Sequence, residues 1–228
     1  MAVITSRAGV AEVDSLSRDQ LAYGFKLLAI TTFCMTLALS SFDSIQANFF
    51  RDSLGMDGED NGYLIAIREV PGFMLIFIAA IMLRRGLATA TAISIFIAGI
   101  GFSLFAFTNS FSQAIIPILI CSVGYHSWLQ LQYALGLSLA RNGEEGSTLG
   151  RLQGIGFLGT FIALVLVWVV LQGTSWITNA GDDHQDTILR VFWIFTGAAA
   201  IVGAVVIRKF PQSARDRRSA IRAERSRR

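Results

Sequence analysis

Residues 27–49 read LLAITTFCMTLALSSFDSIQANF, twenty-three positions carrying a single charge, Asp43. The hydrocarbon core of a bilayer takes about 20 mostly apolar residues of helix. Inside it, backbone groups have no water to bond and must be satisfied by the helix itself. The stretch is too long and continuous for a strand, so it reads as a transmembrane helix. Five further runs match it: Tyr63–Leu83, Leu87–Phe107, Ala114–Ala140, Ile155–Trp176 and Ile188–Ile207. Only Arg84, Arg85 and Gly86 separate the second from the third, which demands a tight hairpin. The expected fold is all-α: a polytopic membrane protein with six transmembrane helices over residues 27–207. A polar segment, 1–26, precedes them and a basic tail, 208–228, follows.

Composition agrees. Of 228 residues, 53% are hydrophobic and 15% charged, and the mean hydropathy is +0.55. Soluble domains carry roughly a quarter charged residues, so disorder is excluded and a water-soluble globule disfavoured. A nucleic-acid partner is also disfavoured, because the net charge is only +3 and its basic excess sits in the tail. Cys34 and Cys121 both lie inside apolar runs, where no disulfide framework can be read. No apolar h-region stands near the N-terminus, so no cleavable signal peptide is expected, and the first helix would itself direct insertion. Nucleophile-elbow, zinc-protease and phosphate-loop signatures are missing. His126 and His184 are the only histidines, too few for a His-rich metal site. No enzyme, metal or cofactor is expected.

Orientation follows the placement of Lys and Arg. With six spans, both termini and the loops after the second and fourth helices share one side, which holds 16 of the 19 basic residues. The opposite loops are acidic, with Asp52, Asp57, Glu59 and Asp60, then Asp182, Asp183 and Asp186. Both termini are therefore expected in the cytoplasm, with the plasma membrane as the location. The nine basic residues of the tail suit anionic lipid head groups, or serve only to set the topology.

Ionisable groups within hydrocarbon are expensive and mark a pathway or a buried pair. Four stand out: Asp43, Arg68, Glu69 and His126. With a rise of about 1.5 Å per residue, Asp43 and Arg68 lie about 10 Å and about 8 Å inward from the same side. An Asp43–Arg68 ion pair is thus geometrically available, either holding two helices in register or acting as a gate. Glu69 points about 100° away from Arg68 and is expected to seek another partner. Thr32, Thr36, Ser40 and Asp43 form one stripe on the first helix; His126, Gln130 and Tyr133 form one on the fourth, with His126 near the midplane. Two such stripes point to a shared hydrophilic cavity, against the alternative of hydrogen bonds that only tie helices together. Small residues from Gly150 to Ala163 favour close packing of the fifth helix, and Trp176 and Trp193 are expected in an interfacial belt.

Helix number, topology and loop lengths over about residues 20–210 resemble the N-terminal six-helix half of a major facilitator superfamily transporter. That family carries a short loop of the form Gly-x-Leu-Ala-Asp-Arg-x-Gly-Arg between its second and third helices. Residues 79–86 here read AAIMLRRG, in which Arg84 and Gly86 match, while Ala79 and Leu83 replace the glycine and the acid. The start of the fifth helix, Gly150-Arg151-Leu152-Gln153-Gly154, is weakly similar to another family loop. The resemblance implies that the first and fourth helices line a solute cavity, adding weight to Thr32, Thr36, Asp43, His126 and Gln130. It also implies a missing partner, since complete members hold substrate between two such halves. The chain would be a fragment, pair with a separate six-helix chain, or form a homodimer. The expectation is a half-size secondary transporter of a small solute. Asp43, Glu69 and His126 are candidates to carry a coupling proton, and Arg68 to meet an anionic substrate. The rival from another class is a non-transporting membrane scaffold or assembly factor, or a truncated transporter.

Overall fold

The computed structural model describes residues 17–75, 77, 86–141, 143–177 and 182–211. Among them there is no strand. Six helices follow in order: α1 (Arg18–Asn48), α2 (Gly58–Phe73), α3 (Leu87–Leu104), α4 (Phe111–Leu139), α5 (Glu145–Ile177) and α6 (Asp182–Ile207). Five are long and apolar enough to cross a membrane, all except α2. The 16 residues of α2 cover only the first part of the run expected to reach Leu83. Most of the remainder lies outside the described residues, together with Arg84 and Arg85 of the hairpin. Gly86 precedes α3 at φ +82°, a backbone geometry that glycine adopts without steric cost.

Several helix ends depart from the hydropathy limits for local reasons. α1 begins at Arg18, ahead of the apolar run, because Ser17 and Gln20 form a reciprocal cap. The Ser17 hydroxyl accepts from the Gln20 N–H at 3.2 Å, and the Gln20 side chain accepts from the Ser17 N–H at 3.1 Å. The far end of α1 runs into a π-helical turn, Phe49–Ser53. Asp57 opens α2 by accepting from the N–H groups of Glu59 and Asp60, both at 2.9 Å. The Gly150–Gly154 stretch, expected to open the fifth helix, lies within the helical run of α5, which begins at Glu145.

The packing has a simple pattern. α3 lies against α4 and α6, α1 lies against α5 and α6, and α2 lies against α4. Exchanging α1 with α4, α2 with α5, and α3 with α6 maps each of these pairs onto another or onto itself. Lipid supplies no hydrophobic drive for helix association, so close contact of small residues takes its place. At Gly101 a methyl group would collide with the backbone of Cys121, and at Gly124 with the Ser94 carbonyl and the Ala98 backbone. These two glycines let α3 and α4 touch along their backbones.

At the C-terminal end of α1, Phe42, Phe49, Phe50, Phe102, Phe105 and Trp193 form a fully enclosed aromatic core. Neighbouring rings lie 4.9–6.1 Å apart between centroids. Trp193 therefore does not sit in an interfacial belt. It faces α1 and α3 because α6 is turned inward at this level; the Trp176 side chain lies outside the described residues. Arg190 fastens the same end. It donates to Asp186 at 2.7 Å and to the carbonyls of Ala106 and Thr108 at 3.0 and 2.9 Å. Its guanidinium also lies over the Phe49 ring. α5, by contrast, exposes Phe157, Phe161 and Trp168 on its outer side, a surface suited to lipid.

Candidate functional site

The four ionisable residues read from the spans come together. Arg68 on α2 donates from Nη1 to Asp43 on α1 and from Nε to its neighbour Glu69, both at 3.2 Å. The other Glu69 oxygen lies 3.5 Å from His126 Nε2 on α4. One carboxylate–guanidinium–carboxylate–imidazole chain thus joins three helices. The expected Asp43–Arg68 pair is present. Glu69 does find a second partner, His126, but it also pairs with Arg68, contrary to the helical-wheel argument. Long side chains reach around the 100° between adjacent Cβ atoms, so the angle alone does not keep neighbours apart.

Three contacts position this chain. The Ser122 hydroxyl, one turn from His126 on α4, donates to the Arg68 carbonyl. The Phe42 ring lies 5.9 Å beneath the Arg68 guanidinium, a cation–π arrangement. Gly72 leaves the space that the His126 ring fills: a methyl there would lie 3.1–3.3 Å from three imidazole atoms. Sequence reasoning missed Ser122 and Gly72. Signals were present for both: Ser122 stands four residues before His126 on the same stripe, and Gly72 stands three after Glu69.

The polar stripe of α1 divides. Thr36 donates to the Thr32 and Phe33 carbonyls within its own helix and packs against Gly159 of α5. Ser40 bonds Thr160 of α5 at 2.9 Å. Thr32, Thr36 and Ser40 therefore line the α1–α5 seam, and only Asp43 turns toward α2. On α4, Gln130 is exposed, and Tyr133 accepts from Gln153 of α5 at 3.1 Å.

The cluster opens outward. Asp43 and Glu69 side chains are 49% and 44% exposed, against 20% for Arg68 and 14% for His126. With Gln130 and Tyr133 they make one polar face on the side of the bundle, at the level of helices long enough to span a membrane. Among the described residues no group of three His, Cys, Asp or Glu side chains is placed to hold a metal ion. No protein-family model matches the chain, and no curated protein matches it.

Proposed function

We propose that the chain is a half-size secondary transporter of a small solute, resembling the N-terminal half of a major facilitator, that works against a second six-helix unit. The observation that carries this reading is the outward-facing Asp43–Arg68–Glu69–His126 chain. Ionisable groups turned toward lipid would be costly. A water-filled cleft between two units relieves that cost and gives a solute its path.

Two features add support. The five main helix pairings are preserved when α1–α3 are exchanged for α4–α6, the pattern of a repeat nested in a six-helix unit. The second apolar run, Tyr63–Leu83, is long enough for a sixth span, with α2 forming its first part. On this reading the protein lies in the plasma membrane with both termini cytoplasmic, an orientation that the distribution of Lys and Arg supports. Asp43, Arg68, Glu69, His126 and Gln130 face the solute path, while Thr32 and Thr36 hold α5 to α1.

Uptake by proteoliposomes under an imposed proton gradient, across a panel of labelled solutes, is the test. Asp43→Asn is expected to insert normally and to lose gradient-driven uptake. Normal uptake by that variant would remove Asp43 from the mechanism.

A further inference from the structure

Resting on the transporter reading, we infer that the polar face selects a positively charged solute. This reverses the expectation that Arg68 meets an anionic substrate. The reason is where the charges sit. Arg68 is the only guanidinium of the cluster, and three neighbours engage it: Asp43, Glu69 and the Phe42 ring beneath it. It is also the more enclosed partner, 20% exposed, while the two carboxylates it holds are 49% and 44% exposed. An approaching solute therefore meets carboxylate edges, with the guanidinium behind them.

The charge count points the same way. With both carboxylates ionised and His126 neutral, two negative charges answer one guanidinium and the cluster is net negative. The elements packed around His126 supply little else. α1 brings Asp43, α2 brings Arg68 and Glu69, and α3 has no Asp, Glu, Lys, Arg or His at all. α5 carries Glu145 and Arg151 only near its start. On α4 itself the neighbour is the Tyr125 ring, 4.9 Å away. That ring adds an aromatic surface of the kind that attracts cations. The shared chemistry of the ligand is positive charge, whether an organic ammonium group or an inorganic cation.

Charge-selective thiol labelling tests this without knowing the solute. A cysteine is placed at Gln130, which is exposed one turn from His126, in the full chain reconstituted in liposomes. Its rates with a cationic trimethylammonium and an anionic sulfonate methanethiosulfonate reagent are measured and divided by those of a free thiol. Labelling of the unaltered chain is subtracted. The expected cation preference is about tenfold, the scale of one uncompensated charge a few ångströms away, and it should collapse in Asp43→Asn with Glu69→Gln. Should the double variant insert poorly, Asp43→Asn alone is expected to reduce the preference by at least half. Equal rates, or an anion preference, would overturn the inference and leave the transporter reading standing. Failure of both reagents to react would mean a dry face and overturn the two together. If a preference is found, competition by benzylammonium against sodium chloride at matched ionic strength separates an organic ammonium from an inorganic cation.

Discussion

Arg68 and Gly72 act from one helix on opposite ends of the same polar chain. Arg68 gathers two carboxylates, and Gly72 makes room for the imidazole that touches one of them. A methyl at Gly72 would press on three ring atoms at 3.1–3.3 Å, tighter than ordinary contact, so the His126 ring must give by a few tenths of an ångström. Such overpacking costs about 1–3 kcal/mol, offset in part by a helix-propensity gain of about 1 kcal/mol for alanine. Gly62→Ala in the same helix meets open space and takes the propensity gain alone. Gly72→Ala should therefore be less stable than Gly62→Ala by about the overpacking cost, read from unfolding in detergent. It should also lower uptake, as should His126→Ala, with Gly62→Ala transporting normally. Arg190 shows the same economy elsewhere: a cation in an otherwise acidic region is explained by the two carbonyls it satisfies at the end of α3.

Between elements, glycines decide which helices touch. Gly124 and Gly101 bring α3 and α4 to backbone contact, whereas Gly146, Gly150 and Gly154 on α5 meet nothing within 4 Å. Identical residues thus have opposite roles, and the contrast is measurable. Gly124→Ala has to force α3 from α4 and should destabilise by about 1–3 kcal/mol. Gly150→Ala should be neutral or stabilising by up to about 1 kcal/mol, through helix propensity. Denaturant unfolding of the two variants in the same detergent checks both signs. Equal effects would mean that the α3–α4 contact is looser than the glycine spacing requires.

For the whole molecule, the proposed transport mechanism puts a second unit opposite the polar face. The protein mass of the gently solubilised complex, with detergent subtracted, is expected near twice the 24.8 kDa of the chain, or to include a stoichiometric second membrane subunit. A lone 24.8 kDa particle would leave no unit to rock against and would favour a scaffold. The same outward face separates this architecture from a bundle that buries its polar groups centrally: both carboxylates of its charged chain are more than two-fifths exposed.

Much was legible in the amino-acid order alone. Apolar runs of membrane length specified helices, because hydrocarbon accepts no unbonded backbone, and five of the described helices have that length and apolarity. The four ionisable residues were likewise found by their cost, since hydrocarbon makes each conspicuous. Depth along two antiparallel helices was enough to pair Asp43 with Arg68. What remained was rotational. Periodicity places Thr32, Thr36 and Ser40 on one stripe but does not say which neighbour that stripe meets; helix packing turned it to α5. Trp193 was apolar enough for either a belt or a core, and the rotation of α6 chose the core. The reach of the Glu69 side chain back to Arg68, the fit of His126 over Gly72 and the outward tilt of the carboxylates depend on how helices distant in sequence are rotated against each other. Local sequence determines length and periodicity, and only the packed bundle determines which way each face looks.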